Sequence, residues 1–329
     1  HCPRLKDLPA PPAGKTGWPW TEESAASLPP TIPDGRPWPR LTVVTPSFNQ
    51  GAYVEATIRS ILLQGYPDLE YFVLDGGSRD GSVDIIRKYA PWLAGWSSGP
   101  DGGQSAAIDR GLRQGTGEFA TWINSDDMLC RDALVTHAAR VGFRPQVIYA
   151  GDCLYVGTNG QLLRTHRGRV HSIEDLLRVR TVWRARERGH LVQPEVLFPR
   201  LFALEVGGLD IHNHRTMDYD LWGRLLLAGA RVEYTGIPFG IFRLHELQKT
   251  HDGWRTTQSL LLTAARLLER AHDLPESTRR AILTELAAHE RECWARTGRL
   301  ARLRLPRRLV MRLRRLRTAL NCAPILQQD

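Results

Sequence analysis

Apolar and polar positions along this chain change spacing in a repeating way from residue 41 onward. Leu41-Thr42-Val43-Val44-Thr45 is almost wholly apolar or β-branched, as a strand covered on both faces requires. After a turn from Pro46 to Gly51, Val54, Ile58, Ile61 and Leu62 recur at helical spacing. The exchange repeats with a strand over 71–74, a turn at Asp75-Gly76-Gly77-Ser78 and a helix over 82–89 with Val83, Ile86 and Tyr89 inward. It repeats again with a short strand over 94–97, a Gly-rich loop over 99–103 and a helix over 106–114 with Ile108 and Leu112 inward. The apolar stretch Phe119-Ala120-Thr121-Trp122-Ile123 predicts a further buried strand. Successive βα units of this kind predict an α/β fold with a Rossmann-like, mostly parallel central sheet flanked by helices.

The second half is mixed. Strands are expected over 147–150, 161–163, 195–199 and 231–235, a short helix over 172–179, and a helix over 218–228 with Leu221, Leu225 and Ala228 on one side. Residues 260–295 predict a C-terminal helical extension that Pro275 breaks in two. Residues 1–40 hold ten prolines with Trp18, Trp20 and Trp38 between them. That composition predicts an extended arm, and the three indoles favour wrapping over wandering, because only a docked arm gains from burying them.

Bulk properties narrow the class. The five cysteines, at 2, 130, 153, 293 and 322, are odd in number and lack close pair spacing, which argues against a disulfide scaffold or zinc site and fits a reducing compartment. No stretch reaches the length of a transmembrane helix. The formal charge of +9 is local: residues 296–317 contain ten arginines and no acid, so removing those ten leaves the rest near −1.

The chemistry collects where strands end. Asp126 and Asp127 follow the strand over 119–123, in the position where open α/β sheets bind ligands. Two adjacent anions there suit a divalent metal bridging phosphates; the alternative is that one of them caps a helix over 131–141. Asp75 either accepts hydrogen bonds from a base or ribose or caps its own tight turn. Phe48, in Thr45-Pro46-Ser47-Phe48-Asn49, either stacks on a base or joins the core. Asp101 and Gln104 in Gly99-Pro100-Asp101-Gly102-Gly103-Gln104-Ser105 suit a sugar or ribose, and the segment matches neither the Walker nor the dinucleotide fingerprint. Asp218 opens a helix, where it serves as a general base or as a first-turn stabiliser. His212 and His214 precede it. Arg243, His245 and Lys249 form a later basic cluster, suited to a metal or diphosphate or to a solvated loop; no zinc-site spacing is present.

Taken together, these segments resemble the GT-A fold, family-2 nucleotide-sugar glycosyltransferases over 41–250. The marks are Thr45-Pro46-Ser47-Phe48-Asn49-Gln50-Gly51, Asp75-Gly76-Gly77-Ser78-Arg79-Asp80-Gly81, Pro100-Asp101-Gly102-Gly103-Gln104-Ser105, Asn124-Ser125-Asp126-Asp127, Met217-Asp218-Tyr219-Asp220-Leu221-Trp222 and Phe242-Arg243-Leu244-His245 with Lys249-Thr250. The resemblance implies an arm over 1–40, a glycosyltransferase domain over 41–250 (nucleotide-binding half 41–128, acceptor-side half 129–250) and a helical, arginine-rich region over 251–329. It implies a donor site of Thr45, Pro46, Phe48, Asn49, Asp75, Gly76, Asp101, Gln104, Ser105, Asp126 and Arg243. Asp127 and His245 would hold Mn²⁺ or Mg²⁺, Asp218 would be the catalytic base, and Trp222 and His214 would face the acceptor. Two positions depart from the family pattern. Gly76 stands where many members carry a second acid that helps read uracil, and Met217 where many place a glutamate.

The implied reaction is an inverting transfer from a nucleotide-diphosphate sugar to an acceptor hydroxyl, in the synthesis of cell-surface polysaccharide or glycolipid. The alternative is a noncatalytic sugar-nucleotide or glycan-binding module on the same fold. A nucleotidyltransferase is disfavoured because residues 46–54 contain no Lys or Arg. In the tail, Leu309, Leu313, Leu316 and Leu320 share one helical face with arginines opposite, which suits docking of residues 296–320 on an anionic membrane. A lipid-linked glycan acceptor and a cytoplasmic protein peripheral on the inner face of the cell membrane follow as expectations. Nucleic acid is the lesser partner for those arginines.

Overall fold

A computed structural model describes residues 2–24, 28–180, 188–246, 248 and 253–297. Its frame is one ten-stranded sheet in the order β3-β2-β1-β4-β9-β6-β10-β5, with β7 and β8 continuing from β6 off that path. The first half is parallel: β1 (Leu41–Ser47) lies between β2 (Leu69–Asp75) and β4 (Phe119–Trp122), and β3 (Gly95–Ser98) flanks β2. The crossovers are α1 (Val54–Leu62), α2 (Ser82–Tyr89) and α3 (Gln104–Gln114). Because β2 lies on one side of β1 and β4 on the other, the chain reverses its direction of sheet growth beside β1. That switch point opens a crevice at the strands' carboxyl ends.

Alternate residues of β1 feed opposite layers, as strand geometry demands. Leu41 and Val43 join Ile58, Ile61, Tyr71, Val73 and Ile86 under α1 and α2. Val44 joins Ile108, Leu112, Trp122 and the later helices on the other face. Both faces are covered, so the strand reads as an unbroken apolar run and all seven of its residues are buried.

Beyond β4 the sheet becomes mixed, so the mostly parallel expectation describes the first half only. β9 (Val196–Pro199) runs antiparallel to both β4 and β6 (Val147–Val156), while β10 (Arg231–Arg243) runs parallel to β6 and antiparallel to β5 (Met128–Leu129). β10 is much longer than the strand expected over 231–235. Register shifts between Tyr234 and Pro238 and between Pro238 and Gly240 absorb residues 235–237 and Phe239 and let the strand continue to Arg243. β7 (Leu162–Gly168) pairs with β6 and with β8 (Arg188–Gly189).

The remaining helices are α4 (Ala133–Arg140), α5 (Ile173–Leu177), α6 (Arg200–Glu205), α7 (Met217–Leu227), α8 (Gly253–Arg270) and α9 (Glu276–Thr297), the last two separated at Pro275. The arm does wrap the body. Trp18 Nε1 donates to Leu129 O at 2.9 Å, and the fully buried Arg59 guanidinium donates to the carbonyls of Pro9, Pro19 and Trp20. Among the described residues, no helix is long and apolar enough to cross a membrane. The arginine-rich tail beyond Thr297, Lys249 and Thr250 lie outside the described residues.

Candidate active site

A cleft of about 680 Å³ opens at the switch point. One wall is made of the loops after β1, β2, β3 and β4, contributing Pro46, Ser47, Phe48, Gly76, Asp101, Gln104 and Asn124 to Asp127. The other wall is the start of α7 and the segment before it, His214, Arg215, Met217 and Asp218; Phe242, Gln248 and Thr256 complete the lining.

The aspartate pair does not cap α4. That helix begins at Ala133 with Asp132 at its N-cap position, and β5 intervenes. Asp127 is instead 1% exposed, with Oδ1 accepting the Arg243 backbone N–H at 3.0 Å and Oδ2 accepting Asn124 Nδ2 at 3.3 Å. Burial first, and the neighbouring Asp126 charge second, push its carboxyl well above the usual carboxylate range. A cation placed there would relieve both effects. Asp126 is more open and places Oδ2 3.0 Å from His245 Nε2. The backbone of this loop is clamped from three sides: Thr57 Oγ1 of α1 lies 2.9 Å from Ser125 O and 2.6 Å from Asp127 O, Arg243 Nη1 donates to Asp126 O at 2.8 Å, and Gln193 Nε2 donates to Trp122 O.

Two carboxylates at a cleft wall, one of them backed by an imidazole, suit a hard divalent cation. Among the described residues no group of three or more His, Cys, Asp or Glu side chains converges to hold a metal. A cation here would therefore draw further oxygens from a ligand, as Mg²⁺-type sites do with phosphates.

Several residues expected to touch the donor face elsewhere. Asp75 is fully buried, and its carboxylate accepts from Gly77 N, Ser78 N, Ser78 Oγ and Ser98 Oγ at 2.5–3.0 Å, so it holds its own loop rather than a ligand. Thr45 is buried within β1 and accepts from Tyr71 Oη at 2.9 Å. Ser105 is buried and donates to Asn213 O at 2.7 Å, tying the α3 start to the α7 side. Asn49 stitches two loops, accepting from Arg79 N at 3.0 Å with φ of 53°. Arg243 is not a cleft residue: it lies over the Tyr53 ring at 4.9 Å, and burial lowers its affinity for the proton. By contrast Pro46, Phe48, Gly76, Asp101, Gln104 and Asp126 line the cleft.

On the second wall, Asp218 sits in the first turn of α7 with Oδ1 accepting the Tyr219 N–H at 2.8 Å. Desolvation raises its carboxyl to about 6. That is the range in which a carboxylate is mostly ionised near neutral pH yet basic enough to take a proton. His214 lines the same wall. Trp222 does not. It is 1% exposed and stacks on Trp122 at 5.5 Å within the core: it shares a helix face with Asp218 but lies one turn further along, where that face has left the cleft and packs on the sheet. Sequence reasoning missed Thr57, Gln193 and Arg215. A lone threonine among the apolar positions of α1 was a signal for the first; for Gln193, far along the chain from residues 122–127, there was none.

Residues 42–198 match the family described as Glycosyl transferase family 2. A GalNAc(5)-diNAcBac-PP-undecaprenol beta-1,3-glucosyltransferase of Campylobacter jejuni is 30% identical over 140 residues, covering 40% of this chain and 43% of that enzyme. In this and other leading curated matches the chain spans about two fifths of the relative's own length. Among solved structures, S. aureus TarS 1-349 in complex with UDP-GlcNAc superposes with a TM-score of 0.52 at 18% identity, covering 75% of this chain and 71% of that one. A mannosyltransferase from Pyrobaculum calidifontis in complex with GDP-Man and Mn²⁺ gives a TM-score of 0.50 at 20% identity, covering 94% of this chain and 92% of that one. The fold is therefore that of the GT-A glycosyltransferases.

Proposed function

We propose that this chain, which matches glycosyl transferase family 2 over residues 42–198, moves a sugar from a nucleoside-diphosphate donor to an acceptor hydroxyl with inversion at the anomeric carbon. The observation that carries the proposal is the pairing of two walls across one cleft. The Asp126-Asp127 loop stands on one wall and the desolvated Asp218 on the other.

The nucleoside end lies over Pro46, Phe48, Gly76 and Asp101, which fixes the diphosphate toward the aspartate loop. Asp127 and Asp126 are the groups that would hold a divalent cation together with oxygens of the diphosphate, with His245 positioning Asp126. Such an ion, when bound, offsets the negative charge that grows on the departing diphosphate. Asp218 accepts the proton of the acceptor hydroxyl as that oxygen bonds to the anomeric carbon and the bond to the diphosphate oxygen breaks. The nucleoside diphosphate departs with the electron pair of the broken bond. One displacement suffices, so no protein nucleophile is required and an α-linked donor gives a β-linked product. The Campylobacter relative is named for an undecaprenol-linked glycan substrate, and a glycan or lipid-linked glycan is the acceptor proposed here.

The test is a screen of nucleotide sugars for Mn²⁺- or Mg²⁺-dependent binding and hydrolysis, run on the native chain, Asp127→Ala and Asp218→Asn. D127A is expected to lose metal-dependent donor binding. D218N should bind donor as the native chain does and lose transfer by at least about a hundredfold, the usual contribution of a general base. Transfer at the native rate by D218N would refute the base assignment. Donor binding without turnover by the native chain, over a broad set of acceptors, would favour the noncatalytic module.

A further inference from the structure

The nucleoside end of the cleft contains an arrangement that bears on which base it takes. A Cβ at position 76 would lie 3.2 Å from Phe48 Cδ2 and 3.4 Å from both Oδ1 and Oδ2 of Asp101. An acidic side chain at that point would press against an aromatic ring and a second carboxylate, so crowding and like charge both disfavour it. The ring itself is available, since Phe48 is 61% exposed and lines the cleft. Asp75 contributes nothing to this surface, because it is buried and its oxygens serve the loop. Asp101 is thus the carboxylate that converges with the Phe48 ring over Gly76. Its Oδ1 accepts Gly103 N at 2.8 Å, and among the described residues it has no ion-pair partner.

We infer that Asp101 reads the Watson–Crick edge of a base stacked on Phe48 and selects a guanosine diphosphate donor over a uridine diphosphate donor. The inference rests on the transferase reading above. An ionised carboxylate only accepts hydrogen bonds, and each oxygen has two lone pairs, so Oδ1 can hold Gly103 and still accept from a base. Guanine presents two donors side by side, N1–H and the 2-amino group, which match the two oxygens. Uracil presents one N–H between two carbonyl oxygens, so the second carboxylate oxygen would face a lone pair. Adenine and cytosine each set one amino group beside a bare ring nitrogen, with the same conflict. A site whose polar groups are left unpaired by the wrong ligand discriminates strongly against it.

Calorimetric titration of the full chain with GDP, UDP, ADP, CDP and inosine diphosphate in the presence of Mn²⁺ tests this. GDP is expected to bind at least about tenfold more tightly than the other three common diphosphates. Inosine diphosphate keeps N1–H but lacks the 2-amino group, and should lose about tenfold against GDP with no change to the protein. In Asp101→Asn the side chain offers one acceptor and one donor, which fit uracil's N3–H and a flanking carbonyl and equally guanine's N1–H and O6, so the preference for GDP over UDP should collapse. Equal binding of GDP and UDP by the native chain, equal binding of GDP and inosine diphosphate, or parallel losses of GDP and UDP in D101N would overturn the base assignment and leave the transferase reading standing. Failure of every nucleoside diphosphate to bind would overturn both.

Discussion

At the scale of the residue, Asp218 shows how position converts an ordinary carboxyl into a candidate base. Desolvation lifts it from the ordinary 3.8 to about 6, while one backbone N–H still supports the charged form. The dependence on pH follows. A base must be ionised to act, so kcat/KM of the native chain should rise as pH increases through about 6 and level off above it. Stability runs the other way. The folded chain holds this proton at pH values where the unfolded chain has released it, so this group's contribution falls as pH rises from about 4 to 6. Asp218→Asn removes a desolvated charge, and its chemical denaturation midpoint should exceed that of the native chain at pH 8 and converge with it near pH 4. A midpoint for D218N below the native value at pH 8 would show that the charge is compensated in a way the geometry does not contain.

At the scale of the element, α1 is more than a layer over the sheet. Thr57 meets the carbonyls of Ser125 and Asp127, and Ser60 Oγ accepts the backbone N–H of Leu129 at 3.1 Å, so one helix face holds the aspartate loop from behind. The same helix carries Arg59, through which the N-terminal arm is latched. Thr57→Val keeps the shape and deletes the hydroxyl whose single proton two buried carbonyl oxygens share. It should cost about 1–3 kcal/mol in a denaturation titration. Because the loss falls on the loop that carries Asp127, the Mn²⁺ concentration needed for half-maximal donor binding should also rise several-fold. A loss of stability with an unchanged metal requirement would show that the loop's other anchors, Arg243, Ser60 and Gln193, suffice to hold it.

At the scale of the whole molecule, charge is divided between a near-neutral body and an arginine-rich end. Ten arginines without an acid over 296–317 propose an anionic membrane surface as partner, at about 1 kcal/mol for each basic residue near the lipid headgroups. Replacing Arg307, Arg308, Arg312, Arg314, Arg315 and Arg317 with glutamine should abolish co-sedimentation with anionic liposomes and leave that with neutral liposomes unchanged. Native binding that ignores both salt and lipid charge would remove the electrostatic basis of the proposal.

The local pattern by itself determined the βα succession of the first half, the break at Pro275 and the placement of acids at strand and helix ends. These follow from near neighbours: a run covered on both faces must be apolar, and polar turns must interrupt it. Only the tertiary structure decided which of those acids and aromatics face a ligand. Asp75 and Asp101 are both loop aspartates beside glycines, yet one is spent on its own turn and the other lines the cleft. Met217-Asp218-Tyr219-Asp220-Leu221-Trp222 is one motif, and the helix sends Asp218 to the cleft and Trp222 into the core. His245 meets Asp126 across 119 positions of sequence, and Arg243 meets Asp127 across 116. Those meetings depend on the register of a strand that outruns its apolar pattern by eight residues, and register is set by partners that lie far away along the chain.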